Sequence, residues 1–70
     1  MHPLEELKVF RKRKQLTLRE LAEIIDCNPI YLCRIEKGER IPDKTFANAI
    51  CDALELNEEE KTRILHYFGY

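Results

Sequence analysis

Between residues 8 and 19 the chain places six cations, Lys8, Arg11, Lys12, Arg13, Lys14 and Arg19, and no acid. Such a stripe complements a polyanion such as a phosphate backbone. A solvated helix face is the bland alternative, and a pI of about 6.1 lacks the footprint of a strongly basic binding domain. Other residues that could do chemistry are sparse. Cys27, Cys33 and Cys51 form an odd set without a CxxC pair, which indicates neither a disulfide framework nor a zinc ribbon and reads as small apolar packing. His2 and His66 lie far apart and share no ligand spacing with each other or with the cysteines. No Gly-rich phosphate loop, metal-ligand cluster or nucleophile constellation stands out, and a small helical domain offers little room for a closed active site. The expectation is therefore a protein that is not an enzyme, with no cofactor and no metal.

The charge is unevenly distributed. Residues 1–45 hold ten Lys/Arg against eight Asp/Glu, a net of +2, whereas residues 46–70 hold two against five, a net of −3. Seventy residues fit one small domain, and a chain of about 60 residues buries only roughly 60% of its unfolded surface, so the core must be compact. With 44% hydrophobic and 36% charged residues and two glycines, the composition points to a folded helical domain rather than disorder or a loop-rich scaffold. No apolar run approaches the roughly 20 residues of a membrane-spanning helix, and "MHPLEELKVF" is too acidic and patchy for a secretory signal. A cytoplasmic protein is expected, with no membrane partner.

Five helices must position the cations. The first is expected over about residues 3–14, with Pro3 in its first turn and Leu4, Leu7 and Phe10 facing inward. Thr17 opens a second, because T-L-R-E fits the capping-box pattern with Glu20, and Leu21, Ile24 and Ile25 form its expected buried stripe. Asn28 caps a third with Pro29 at its first position, and Leu32 and Ile35 face the core. Only Asp26 and Cys27 precede that cap, so the turn is sharp, and Asp tolerates the left-handed conformation such a turn can demand. Gly38 is the expected left-handed terminator of helix three. A fourth helix starts near Asp43 and packs Phe46, Ile50, Cys51 and Leu54. The fifth, over about 57–68, has Asn57 and Glu60 as its capping box and Ile64, Leu65 and Phe68 on one face, with Tyr67 beside it.

Two helices joined by so short a turn make a helix-turn-helix, which lays its second helix in the DNA major groove. Ala22 is small enough to let the second helix approach closely. From about residue 4 to residue 56 the chain resembles the Cro/C1-type, or XRE-family, helix-turn-helix domain of phage repressors and bacterial regulators. The resemblance rests on Arg11, Thr17, "ELA" at 20–22, "YL" at 31–32 and "RIEKG" at 34–38. Two positions depart from the family pattern: Leu18 stands where members usually carry a phosphate-clamping Gln, and Asp26 stands where they favour Gly.

The resemblance implies an all-α, compact five-helix, lambda-repressor-like DNA-binding domain over residues 1–70, with the helix-turn-helix at about 17–37. It implies base readout by Asn28, Pro29, Ile30, Cys33 and Arg34. Arg34 is the strongest candidate, since a guanidinium can donate two parallel hydrogen bonds to guanine; Pro29 and Ile30 can only touch thymine methyls or shape the approach. Phosphate contacts are expected from Lys14, Thr17, Arg19, Tyr31, Lys37 and Arg40, which flank the presented helix and carry donors. Arg11 and Glu36 are implied to pair between the first helix and the end of the third, with a value that lies in fixing geometry more than in net stability.

Three of the six aromatic residues, Tyr67, Phe68 and Tyr70, fall in the last four positions. They suit either a cap on the domain's own core or a homodimer contact through the fifth helix. The functional expectation is a sequence-specific double-stranded-DNA-binding regulator, a repressor of bacterial or phage origin. The alternative is an antitoxin or protein-interaction adapter that reuses the fold, which Leu18, Pro29, Ile30 and the net charge of −1 favour.

Overall fold

Polar residues at four boundaries, Thr17, Asn28, Asp43 and Asn57, separate α1 (Glu5–Arg13), α2 (Leu18–Ile25), α3 (Pro29–Glu36), α4 (Lys44–Ala53) and α5 (Glu58–Tyr67). They are seen in a computed structural model that describes residues 5–70. Pro3 and Leu4, expected in the first helix, and His2 lie outside the described residues. All five described helices are α-helices, and no strand occurs among the described residues. The fold is all-α, as the sequence implies.

Four helices start on side-chain caps. Thr17 Oγ1 accepts the Glu20 amide at 3.0 Å while the Glu20 carboxylate accepts the Thr17 amide at 2.9 Å. Asn57 and Glu60 repeat the exchange at 2.8 and 3.1 Å. Asn28 Oδ1 accepts from the Ile30 amide at 2.8 Å, and Asp43 Oδ1 from the Phe46 amide at 2.8 Å. Each cap satisfies an amide that would otherwise have no intrahelical partner, for about 1 kcal/mol.

The C-terminal ends share one device. Gln15, Asp26, Gly38, Glu55 and Gly69 all take positive φ, between 54° and 91°. The amide after each reaches back five residues: Leu16 to the Arg11 carbonyl, Cys27 to Ala22, Glu39 to Arg34, Leu56 to Cys51 and Tyr70 to Leu65, at 2.8–3.2 Å. Leu16, Cys27 and Leu56 then pack against the core, the apolar contact that accompanies such Schellman closures. A side chain in this conformation costs about 1–2 kcal/mol relative to right-handed backbone, partly offset by the entropy glycine loses on folding. Gln15 is exposed and makes no side-chain hydrogen bond among the described residues. Gln15→Gly is accordingly expected to raise unfolding free energy by up to about 1 kcal/mol, and the β-branched Gln15→Val to lower it, as read by urea midpoints.

The core draws on every helix: Leu7 and Phe10 from α1, Leu21 and Ala22 from α2, Leu32 and Ile35 from α3, Ala47, Ile50 and Cys51 from α4, Leu54 just beyond it, Ile64 from α5, and Phe68 at its C-cap. α2 packs on α3 and α4, α5 on α4, and α1 on α3. Ile24 is a correction to the expected stripe, since it is 57% exposed. The α2 residues facing inward are Leu18, Leu21, Ala22 and Ile25, and at about 100° per residue Ile24 falls well off that face. Phe46 is only half buried and tilts against Tyr31, with ring centroids 5.3 Å apart. Burial pushes the Cys51 thiol up to about 11, which fits a packing residue.

Long-range polar ties fasten α1 alongside α5 in antiparallel sense. The Arg13 guanidinium donates to both oxygens of Glu60 at 2.7 and 3.0 Å. Glu6 accepts from Arg63 Nε at 2.6 Å and from the Tyr67 hydroxyl at 3.1 Å. The hydrogen bonds from Arg13, then that from the Asn57 amide, hold the Glu60 carboxyl down at about 2, against its usual 4.5. The unfolded chain therefore takes up this proton first, so the stabilisation is complete above about pH 4.5 and is lost as pH falls through about 2. Glu60→Gln can keep the cap but not the charge. Its urea midpoint is expected below that of the parent at pH 6, with the two converging near pH 2; a gap constant across that range would remove Glu60 as a source of acid sensitivity.

Candidate nucleic-acid interface

The turn that presents α3 is built from three residues with separate tasks. Asp26 takes the left-handed conformation (φ 57°, ψ 58°) that ends α2, Cys27 closes that end and tucks toward the core, and Asn28 caps α3. Leu32 and Ile35 are buried at 1% and 0% exposure and fix which side of α3 turns inward. The opposite side carries Ile30, 62% exposed, and Arg34, exposed and one turn further on. Cys33 is half buried beside them, and Pro29 is half buried at the helix start. Asn28 is exposed, but its side-chain oxygen is engaged by the Ile30 amide, so only its amide nitrogen is free for an outside partner.

Arg11 joins the parts of this surface. Its Nε donates to Glu36 Oε2 at 2.7 Å and one Nη to Oε1 at 3.2 Å, while the other Nη donates to the Leu16 carbonyl at 2.8 Å. Both side chains are only 8% exposed. One planar guanidinium thus ties α1 to the last turn of α3 and to the segment that leads into α2. Charge-assisted, bidentate bonds of this kind have narrow geometric tolerance.

The cation stripe is divided by the fold. Arg11 is bound to Glu36, Arg13 to Glu60, and Lys14 forms an ion pair with Glu55. An anion approaching Lys14 must therefore compete with a carboxylate. Lys8, Lys12, Arg19, Arg34, Lys37 and Arg40 have no ion-pair partner among the described residues and are all exposed. Thr17 is exposed with its oxygen used as a cap acceptor, which leaves its hydroxyl proton available to donate. Tyr31 is half buried against Phe46. Spacing along the sequence signals none of the three pairings, because the partners lie 25 to 47 positions away.

Arg40 sits in the loop after Gly38, and that loop is anchored. Pro42 is buried, and its carbonyl accepts the Tyr70 hydroxyl at 2.7 Å. The terminal aromatics thus find partners within the chain: Phe68 in the core, Tyr67 on Glu6 and Tyr70 on the loop. Tyr70→Phe is expected to destabilise the fold by about 0.5–1.5 kcal/mol, the usual net worth of one such bond, measured as a loss of melting temperature.

Between α1 and α3 a groove of about 700 Å³ opens, and Val9, Leu18 and Cys33 line it together with Lys8, Lys12 and Lys37. Among the described residues no group of three or more His, Cys, Asp and Glu is placed to hold a metal ion. No helix there is long and apolar enough to cross a membrane.

A family model described as a helix-turn-helix domain matches residues 5–64. No curated protein and no solved structure gives a significant match to the chain.

Proposed function

The chain belongs to the helix-turn-helix domain family, whose fold binds DNA, and from that membership we propose a sequence-specific regulator of the Cro/C1 type that inserts α3 into the major groove. The observation that carries the reading is the outward face of α3, where Ile30 and Arg34 stand one turn apart on a helix tied at its far end by Arg11. Base readout falls to Arg34 first, with Ile30 and Pro29 as apolar contacts to thymine methyls and Asn28 and Cys33 at the edges. Thr17, Arg19, Tyr31, Lys37 and Arg40 are the phosphate contacts, and Lys14 joins them where a phosphate displaces Glu55.

In this reading residues 1–70 act as a single domain on cytoplasmic DNA, as a repressor. A homodimer through α5 would set two α3 helices about 34–36 Å apart on a palindromic site. Its support is the exposed half of Tyr70, since Tyr67 and Phe68 are engaged internally. Sedimentation with and without DNA tests this part, and a monomer under both conditions rejects it.

Selection of bound duplexes from a random pool, followed by titration of the winner at several salt concentrations, tests the function. An enriched motif bound with affinity that falls steeply with salt is the expected result. Absence of both would transfer the chain to the antitoxin or adapter reading, in which the apolar Leu18, Pro29 and Ile30 meet a protein partner.

A further inference from the structure

We propose that Lys8 and Lys12 of α1 join Lys37 after α3 in one phosphate-binding site along the α1/α3 groove, which adds two backbone contacts from α1 to those flanking α3. The inference rests on the DNA-binding reading and extends it to a helix outside the helix-turn-helix. Lys8 and Lys12 are four residues apart and so share one face of α1. Lys37, the C-cap residue of α3, lies across the groove from them. None of the three has an acidic partner among the described residues, whereas the neighbouring Arg11, Arg13 and Lys14 do.

The carboxylates near the site leave it positive. Glu36 lies in the groove wall but is held by both donors of Arg11, and the exposed Glu5 is the one further acid of the lining. Val9, 54% exposed, with Leu18 and Cys33, gives the lysine stems an apolar surface to lie along while their ammonium groups stay in water. A phosphate therefore meets three exposed ammonium groups on flexible stems. Cys33 on α3 and Lys37 at its C-cap both line the groove, so a backbone lying along the reading helix passes beside it. Ties from α1 to α5 and to α3 keep Lys8 and Lys12 on a fixed helix.

The test is the salt dependence of binding to the selected duplex for the parent, Lys8→Ala, Lys12→Ala and the double variant, with Lys61→Ala as a control on α5. All three lysines are at exposed or half-buried positions outside the core, so the variants retain the fold. The slope of log affinity against log salt is expected to flatten by about 0.9 for each lysine removed from α1. The selected motif stays unchanged, and Lys61→Ala leaves the slope alone. A steep parent slope that persists in the double variant overturns the site. An equal flattening in Lys61→Ala also overturns it, because the effect is then one of net charge. A parent with no salt-dependent binding defeats the DNA reading itself.

Discussion

Glu36→Ala is expected to lower unfolding free energy by about 3–5 kcal/mol, the usual cost of leaving one member of a buried ion pair alone. In a protein whose class is typically stable by 5–15 kcal/mol, that is a large fraction. Arg11 is the one charged residue in the buried set of the described chain, at 7% exposure. Without Glu36 its guanidinium keeps a single acceptor, the Leu16 carbonyl. Urea unfolding measures the loss, and a change below about 1 kcal/mol would show that water reaches the cation easily. The double variant Arg11→Met with Glu36→Leu separates geometry from stability. Replacing both charges removes two desolvation penalties along with their attraction, so folding is expected to recover to near the parent or above it. DNA affinity is not expected to recover, because the link between α1, the approach to α2 and the end of α3 is gone. Parent-like binding by the double variant would show that packing alone orients α3.

Features set by neighbouring residues were legible in the sequence, and those set by distant ones were not. The caps at Thr17, Asn28, Asp43 and Asn57 each involve partners two or three positions away, and local spacing gives them directly. The left-handed residues divide differently. Gly38 lacks a Cβ and Asp26 has a short polar side chain, and both tolerate positive φ, but Gln15 and Glu55 are ordinary polar residues forced there because Leu16 and Leu56 must turn back onto the core. Ile24 is as apolar as its neighbours, and only the packing of α2 shows that Leu18, Leu21, Ala22 and Ile25 form the one inward face and leave Ile24 outside it. The fold divides the cation stripe further. Half of its charges meet acids on α3, on α5 and after α4, so the surface left for a polyanion shifts toward Lys8, Lys12 and α3. Arg11 and Glu36 lie 25 positions apart, and only the family resemblance paired them in advance.

Arg34→Ala is expected to weaken binding to the selected duplex by about 1–3 kcal/mol, or roughly 5- to 150-fold, and to erase preference at one base pair. Pro29 and Ile30 offer no side-chain hydrogen bonds, Asn28 has its oxygen committed to the cap, and Cys33 is half buried with only a weak donor. Arg34 alone on the exposed face of α3 has a forked donor that can bridge guanine O6 and N7. Glu36, the nearest carboxylate in sequence, is held by Arg11, so it does not draw Arg34 away from a base. The ion pair and the reading residue are therefore coupled: in Glu36→Gln, which weakens Arg11's anchorage, Arg34 should lose part of its effect. Because a base contact replaces water without releasing a phosphate counterion, the salt slope of Arg34→Ala should stay close to that of the parent. A variant that keeps its motif while its slope flattens by about 0.9 would make Arg34 a phosphate ligand and move base reading to the Asn28 amide and the apolar pair at the start of α3.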